Sequence, residues 1–224
     1  MNEAGRTRTA VFTFFCVTAL AFPLAAQSPT PDPKEVENIR AQAEAGDAKS
    51  QFQFAIHIRN SHADQPNGLT AQDWTEVVKW YRKAANQNYA PAQRNLAGLY
   101  SDGFGVPLDP VEACKWYRKA AEQNDAFSQW ALGGCYFDDE ALPKDMVEAC
   151  KWYRKAAEQN LVRAQVSLGQ RYFFGEGVAK DEVEAYKWFA LAAAQGSGDA
   201  KAFLEALEKK LTAAQKAEGV GSCQ

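Results

Sequence analysis

The chain has 224 residues, 46% of them hydrophobic and 24% charged, which is enough apolar material for one well-buried domain. A formal net charge of −3 disfavours a nucleic-acid partner, which needs a basic face against phosphates. With only two histidines and no Gly-x-Ser-x-Gly elbow, the common hydrolytic and metal-dependent chemistries have little to work with.

Arg6 and Arg8 precede an apolar run from Ala10 to Ala21, and Pro23 and Leu24-Ala25-Ala26 follow. A basic start, an apolar centre and small residues at the end predict a secretory signal peptide over residues 1–26, cleaved to leave Gln27 first. The rival is an uncleaved anchor, but the run falls short of the ~20 apolar residues a membrane helix needs. Thr13-Phe14-Phe15 ahead of Cys16 is a poor lipidation box. Residues 27–33 carry prolines that cannot continue a helix, so they read as an extended spacer. The expectation is an exported monomer with no stable membrane span: periplasmic or extracellular in a bacterium, in the endoplasmic reticulum lumen in a eukaryote.

The remaining chain repeats itself. Trp80, Trp116, Trp152 and Trp188 stand 36 residues apart, and so do Lys79, Lys115, Lys151 and Lys187. Leu96, Leu132 and Leu168 keep the same step, as do Tyr100, Tyr136 and Tyr172. Each unit predicts two helices. In the second, Ala113, Trp116, Tyr117, Ala120 and Ala121 make one apolar stripe at i, i+3, i+4, i+7 spacing. The Lys-Trp-Tyr-Arg-Lys block on this helix reads as a solvated face. Asp73, Asp109, Asp145 and Asp181 are each followed three residues on by a glutamate, which predicts an aspartate cap with a reciprocal glutamate. Asn88, Asn124, Asn160 and Gly196 share one phase and suit the left-handed residue that closes a helix; Gly46 fits the same place. Gly133 and Gly169 predict close approach of a neighbouring helix. The units run over about 48–89, 90–125, 126–161 and 162–197, with capping helices at 34–46 and 199–218 and a flexible tail at 219–224. Thr212-x-x-Gln215 predicts the start of a short last helix.

Leu168-Gly-Gln-Arg-Tyr172, Gly175-Glu-Gly177-Val178 and Asp109-Pro-Val-Glu-Ala113-Cys-Lys-Trp116-Tyr117-Arg-Lys119-Ala-Ala121 resemble the Sel-1-like repeat family, a branch of the tetratricopeptide superfamily. The resemblance covers about Glu35 to Glu218. It implies an all-α fold, a right-handed α-solenoid of helix-turn-helix repeats whose first helices line a concave groove, and work as an adaptor or scaffold for a protein or peptide, with no cofactor. Projecting the family's concave positions gives Lys49, Phe52, Ile56 and Arg59 in the first unit and Arg94, Ser101 and Asp102 in the second. The third offers Phe127, Trp130, Phe137 and Asp138, and the fourth Val166, Gln170 and Phe173. Phe127, Trp130 and Phe137 lie off the leucine–tyrosine stripe. They suit a peptide groove, and equally suit packing between repeats.

Two other functions stay open. Some cysteine-rich relatives have been linked to β-lactam binding, which keeps alive a weak hydrolase or binder of cell-wall or β-lactam-like substrates. A purely structural envelope component is the third reading. His57 and His62 are five apart, about 140° around a helix, so they do not make an i, i+4 metal pair, and Asp64 would join them only through a loop rearrangement. The Gly-x-Gly links follow helices, not strands, and read as turns rather than phosphate cradles. Export permits disulfides. Cys135 near one helix end and Cys150 near the next helix start share a height, so Cys135–Cys150 is the candidate bridge. Cys114 and Cys150 share a phase, and repeat stacking holds such positions roughly 10 Å apart, beyond bridging reach. Buried reduced thiols are the alternative, and Cys223 falls on the tail.

Overall fold

The structure, a computed structural model, describes residues 32–61 and 68–221. The leader, most of the spacer, His62, Asp64 and Cys223 lie outside the described residues. Among the described residues every regular element is a helix. α1 (Pro33–Glu44) precedes four helix pairs: α2 (Ala48–Ser61) with α3 (Ala71–Asn86), α4 (Ala90–Asp102) with α5 (Pro110–Glu122), α6 (Ala126–Phe137) with α7 (Met146–Glu158), and α8 (Val162–Phe174) with α9 (Glu182–Ala194). α10 (Gly198–Glu208) and α11 (Ala213–Gly221) both pack back on α9. Each helix up to α10 makes its main contacts with its neighbours along the chain, so the fold is an α-solenoid that grows in one direction.

The repeat signals act where the spacing puts them. Leu96, Leu132 and Leu168 are fully buried, as are Ala84, Ala120, Ala156 and Ala192 on the second helices. Asn88, Asn124 and Asn160 adopt φ of 64°, 68° and 63°, closing α3, α5 and α7 in the left-handed region. At Gly133 a Cβ would lie 2.6 Å from the Tyr153 ring, and at Gly169 2.8 Å from Phe189, so both glycines let paired helices touch. Asp109, Asp145 and Asp181 cap their helices, the first two accepting from the Glu112 and Glu148 N–H groups at 2.9 Å. The glutamates do not complete the expected box: Glu112 and Glu148 pair with Lys115 and Lys151 at 2.9 Å. Asp73 is corrected more sharply. Thr70 caps α3, and Asp73 is the third helical residue that answers it in a reciprocal box.

The ends also differ from expectation. Pro33, read as spacer, heads α1 behind the Asp32 cap. α11, capped by Thr212 with Gln215 answering it, runs into the segment read as a flexible tail. Gly219 lies against α9, where a Cβ would be 3.2 Å from the Val183 carbonyl.

A polar ladder crosses the units. Gln93, Gln129 and Gln165 are buried on the first helices. Gln93 donates to the Ala85 carbonyl at 3.1 Å and accepts from Gln123 at 2.6 Å. Gln129 repeats this with Ala121 and Gln159, and Gln165 with Ala157 and Gln195. Each amide thus joins the preceding unit's second helix to the closing turn of its own, which satisfies a buried polar group while setting register. The basic block is structural in part as well. Arg82, Arg118 and Arg154 donate to the hydroxyls of Tyr100, Tyr136 and Tyr172. Lys83, Lys119 and Lys155 lie 3.8–4.2 Å from the ring centres of Trp80, Trp116 and Trp152.

Candidate functional site

α5 packs on both α4 and α6, a short turn joining it to α6, and longer links follow α4 and α6. A cavity of about 480 Å³ opens there. Phe127, Trp130, Tyr117 and Tyr153 supply its aromatic lining, Leu108 and Pro110 part of its apolar lining, and Asp102, Asp138 and Glu140 its carboxylates. Its size falls in the usual range for ligand pockets, roughly 300–1,000 Å³.

The rings are set by one another. Phe127 meets Trp130 edge-on at 5.4 Å and Tyr117 at 6.4 Å. The Trp130 indole N–H donates to the Ser167 hydroxyl of α8 at 3.1 Å, and the Arg163 guanidinium lies 5.5 Å from its ring centre. Trp130 therefore both packs between units and lines the cavity. Burial pushes the Tyr117 hydroxyl pKa up to about 12, with Ser101 donating a partial offset, so the phenol stays neutral at physiological pH.

Burial also raises the Asp102 carboxyl, and no cation offsets it. The same cause raises Asp138, where Lys144 pulls the other way and Asp139 adds to the rise. A carboxyl whose folded pKa lies above its unfolded value loses stability as pH rises through that folded value. Asp102→Asn with Asp138→Asn is therefore expected to raise the melting temperature at pH 7. The gain should shrink as pH falls from the raised folded values and vanish well below 3.8, where the parent's carboxyls carry protons in both folded and unfolded states. Thermal unfolding by circular dichroism at both pH values checks this, and a gain that grows in acid contradicts it.

The structure brings together five of the projected groove residues: Ser101, Asp102, Phe127, Trp130 and Asp138. It draws others elsewhere. Phe52 packs on Tyr81 and Tyr89 at 5.7 and 5.4 Å, between units. Arg94 pairs with Asp125 at 3.0 Å. Phe137 lies under Arg171 and Lys144, 4.3 and 5.4 Å from its ring centre. Phe173 and Val166 join the C-terminal cluster, with Phe173 5.5 Å from Phe203. Lys49, Ile56 and Arg59 lie on α2 and Gln170 on α8, all outside this cavity. Tyr117, Leu108 and Glu140 were not foreseen as lining. Tyr117 reads as core from its stripe, and the other two sit in links with no periodicity.

The cysteine pairing is corrected. Cys114 bonds to Cys135, with Cα atoms 6.1 Å apart, and Cys150 is a buried free thiol. Height alone favoured Cys135–Cys150, but direction around the helix decides. Gly133 faces α7, with Tyr153 and Ala149 against it. Two residues on, a helix has turned about 200°, so Cys135 looks back to α5 and Cys114. The bridge thus ties one unit to the next, and both sulfur-bearing residues line the cavity. Cys150 donates to the Glu176 carbonyl at 3.2 Å, and burial raises its thiol pKa, so it is no activated nucleophile.

Among the described residues no group of three His, Cys, Asp or Glu side chains is placed to hold a metal, and no helix is long and apolar enough to cross a membrane. Residues 78–89, 90–125, 126–161 and 162–197 match the Sel1 repeat. A solved protective antigen present in uropathogenic Escherichia coli strains, displaying an SLR fold, is 37% identical with a TM-score of 0.66, over 72% of this chain and 33% of that one. A Sel1 repeat protein from Oxalobacter formigenes is 28% identical with a TM-score of 0.68, over 79% of this chain and 50% of its own. This chain therefore spans about a third and a half of those two proteins. A putative Sel1 repeat protein from Klebsiella pneumoniae, 21% identical over 84% of this chain and 99% of its own, shares the fold at a TM-score of 0.51. No curated protein matches the chain.

Proposed function

We propose that this chain, which belongs to the Sel1 repeat family, is an exported scaffold that holds a segment of another protein against the first helices of its units. Sel1 repeat proteins typically mediate protein–protein interaction. The observation that carries the reading here is the aromatic cavity formed by Phe127, Trp130 and Tyr117 between the second and third units. Clustered aromatic anchors in a recess are what peptide recognition uses, because rigid rings bury much area at small entropic cost. The bridge and the glutamine ladder hold the recess in shape, so little ordering remains to be done on binding. A leader-like N-terminus and an oxidised cysteine pair are both compatible with export.

The test is selection of displayed random peptides on residues 27–224, followed by affinity measurement of the selected sequences. Trp130→Ala is expected to weaken them about 30-fold, the scale of a hot-spot residue, with the helical spectrum unchanged. Phe104→Ala, exposed outside the cavity, is the control and should leave affinity within twofold. Failure to select any peptide, or equal affinity for Trp130→Ala and the parent, would overturn the assignment.

A further inference from the structure

The carboxylates of the cavity have no evident structural task. Asp102 ends α4 and Asp138 follows α6, in the same position of successive units, 36 residues apart. Both line the one cavity, and Glu140 joins them. The matching position in the fourth unit is Phe174, so the acidic pair is confined to this recess. Among the described residues neither aspartate forms an ion pair, and neither caps a following helix as Asp109, Asp145 and Asp181 do.

The cations of the region are engaged beside the recess. Arg94 is paired with Asp125, Arg163 stands over Trp130 from α8, and Lys144 stands near Phe137 and Asp138. None of the three lines the cavity, whose charged lining is wholly carboxylate. Asp102 is half-buried and its desolvation is not offset, while the more exposed Asp138 is partly offset by Lys144; a bound cation relieves that condition.

Resting on the scaffold reading above, we infer that the partner presents an arginine or lysine to this cavity, its cation among Asp102, Asp138 and Glu140 and its alkyl stem against Trp130 and Phe127. The match is one of charge and of shape. A basic side chain has an apolar stem and a cationic tip, and the recess has apolar rings with carboxylates at its edge. The indole and phenyl faces add attraction for the cation itself. At about 480 Å³ the cavity exceeds one basic side chain, so flanking residues of the same segment enter with it. The partner segment therefore carries a basic residue within a short stretch that the cavity also admits.

The experiment uses the selection above, read residue by residue. Arginine or lysine should be enriched at one position in peptides held by the parent. Exchanging that residue for citrulline or norleucine should weaken binding at least tenfold. Asp102→Asn with Asp138→Asn should weaken the basic peptide by a similar factor and leave the uncharged peptide unchanged, so that the two losses do not add. Selected peptides with no basic position, or full additivity of the losses, would overturn this inference while leaving the scaffold reading standing. Absence of any selected peptide would overturn both. The double variant's helical spectrum, expected to match the parent's, guards against an unfolded control.

Discussion

Gly177→Ala is expected to destabilise the protein by about 4 kcal/mol, at the severe end for one substitution. Two causes act together. Gly177 has φ of +73°, a left-handed conformation that costs an L side chain about 1–2 kcal/mol. An added Cβ would also lie 2.1 Å from the Met146 carbonyl oxygen and 2.4 Å from its carbon, both backbone atoms at the start of α7. No rotamer change relieves that contact, so the link after α8 must lift off α7. Gly46→Ala separates the two causes. Its φ is +107° but nothing lies within 4 Å of the added Cβ, so only backbone strain applies, about 1–3 kcal/mol. Urea titrations followed by circular dichroism should place Gly177→Ala clearly below Gly46→Ala. Hydrogen exchange should show the loss concentrated in α7 to α9, since a solenoid's stability is largely local. Equal losses in the two variants would mean that the close contact at Met146 does not hold the units together.

The contrast between these glycines shows what can be read before a structure exists. The 36-residue step, the leucine and alanine stripes and the asparagine closures were legible because helical period and the left-handed turn translate directly into residue type. The glutamine ladder was not. Glutamine reads as surface, although Gln93, Gln129 and Gln165 keep the 36-residue step, and so do Gln87, Gln123, Gln159 and Gln195. A polar residue held at the same step as the buried leucines of the first helices, matched by another at every second-helix end, was the signal. The cavity was legible in part. Trp130 and Phe127 stood off the core stripe, and Asp102 and Asp138 sat at helix ends where a projected groove would meet them. Phe52 and Phe173, projected onto the groove only from the family's concave positions, found ring partners, because an aromatic near a unit boundary buries itself against whatever the next unit offers.

Removing the Cys114–Cys135 bridge by paired alanine substitution is expected to cost about 3 kcal/mol. The bond closes a loop with a separation of 21 residues, and the lost restriction of the unfolded chain at that length sets this scale. Cys150→Ala should cost about 1 kcal/mol, the scale of a small buried side chain trimmed in place. The pairing can be checked directly. Trypsin places Cys114 in the peptide 95–115, Cys135 in 120–144 and Cys150 in 145–151. Without reduction the first two should run as one species and the third alone; a 120–144 with 145–151 species would restore the bond that helix height suggests. Repeat logic adds a sharper test. Thirty-six residues beyond Cys114 and Cys135 stand Cys150 and Arg171. Arg171 is buried, 2.7 Å from Glu176, in the place where the preceding unit puts its second sulfur. Arg171→Cys should therefore bond to Cys150 under air oxidation, joining 145–151 to the peptide that carries position 171. A free thiol at both positions would show that the third and fourth units are offset differently from the second and third. The sulfur pair would then be a local accommodation between two units rather than a consequence of the repeat's geometry.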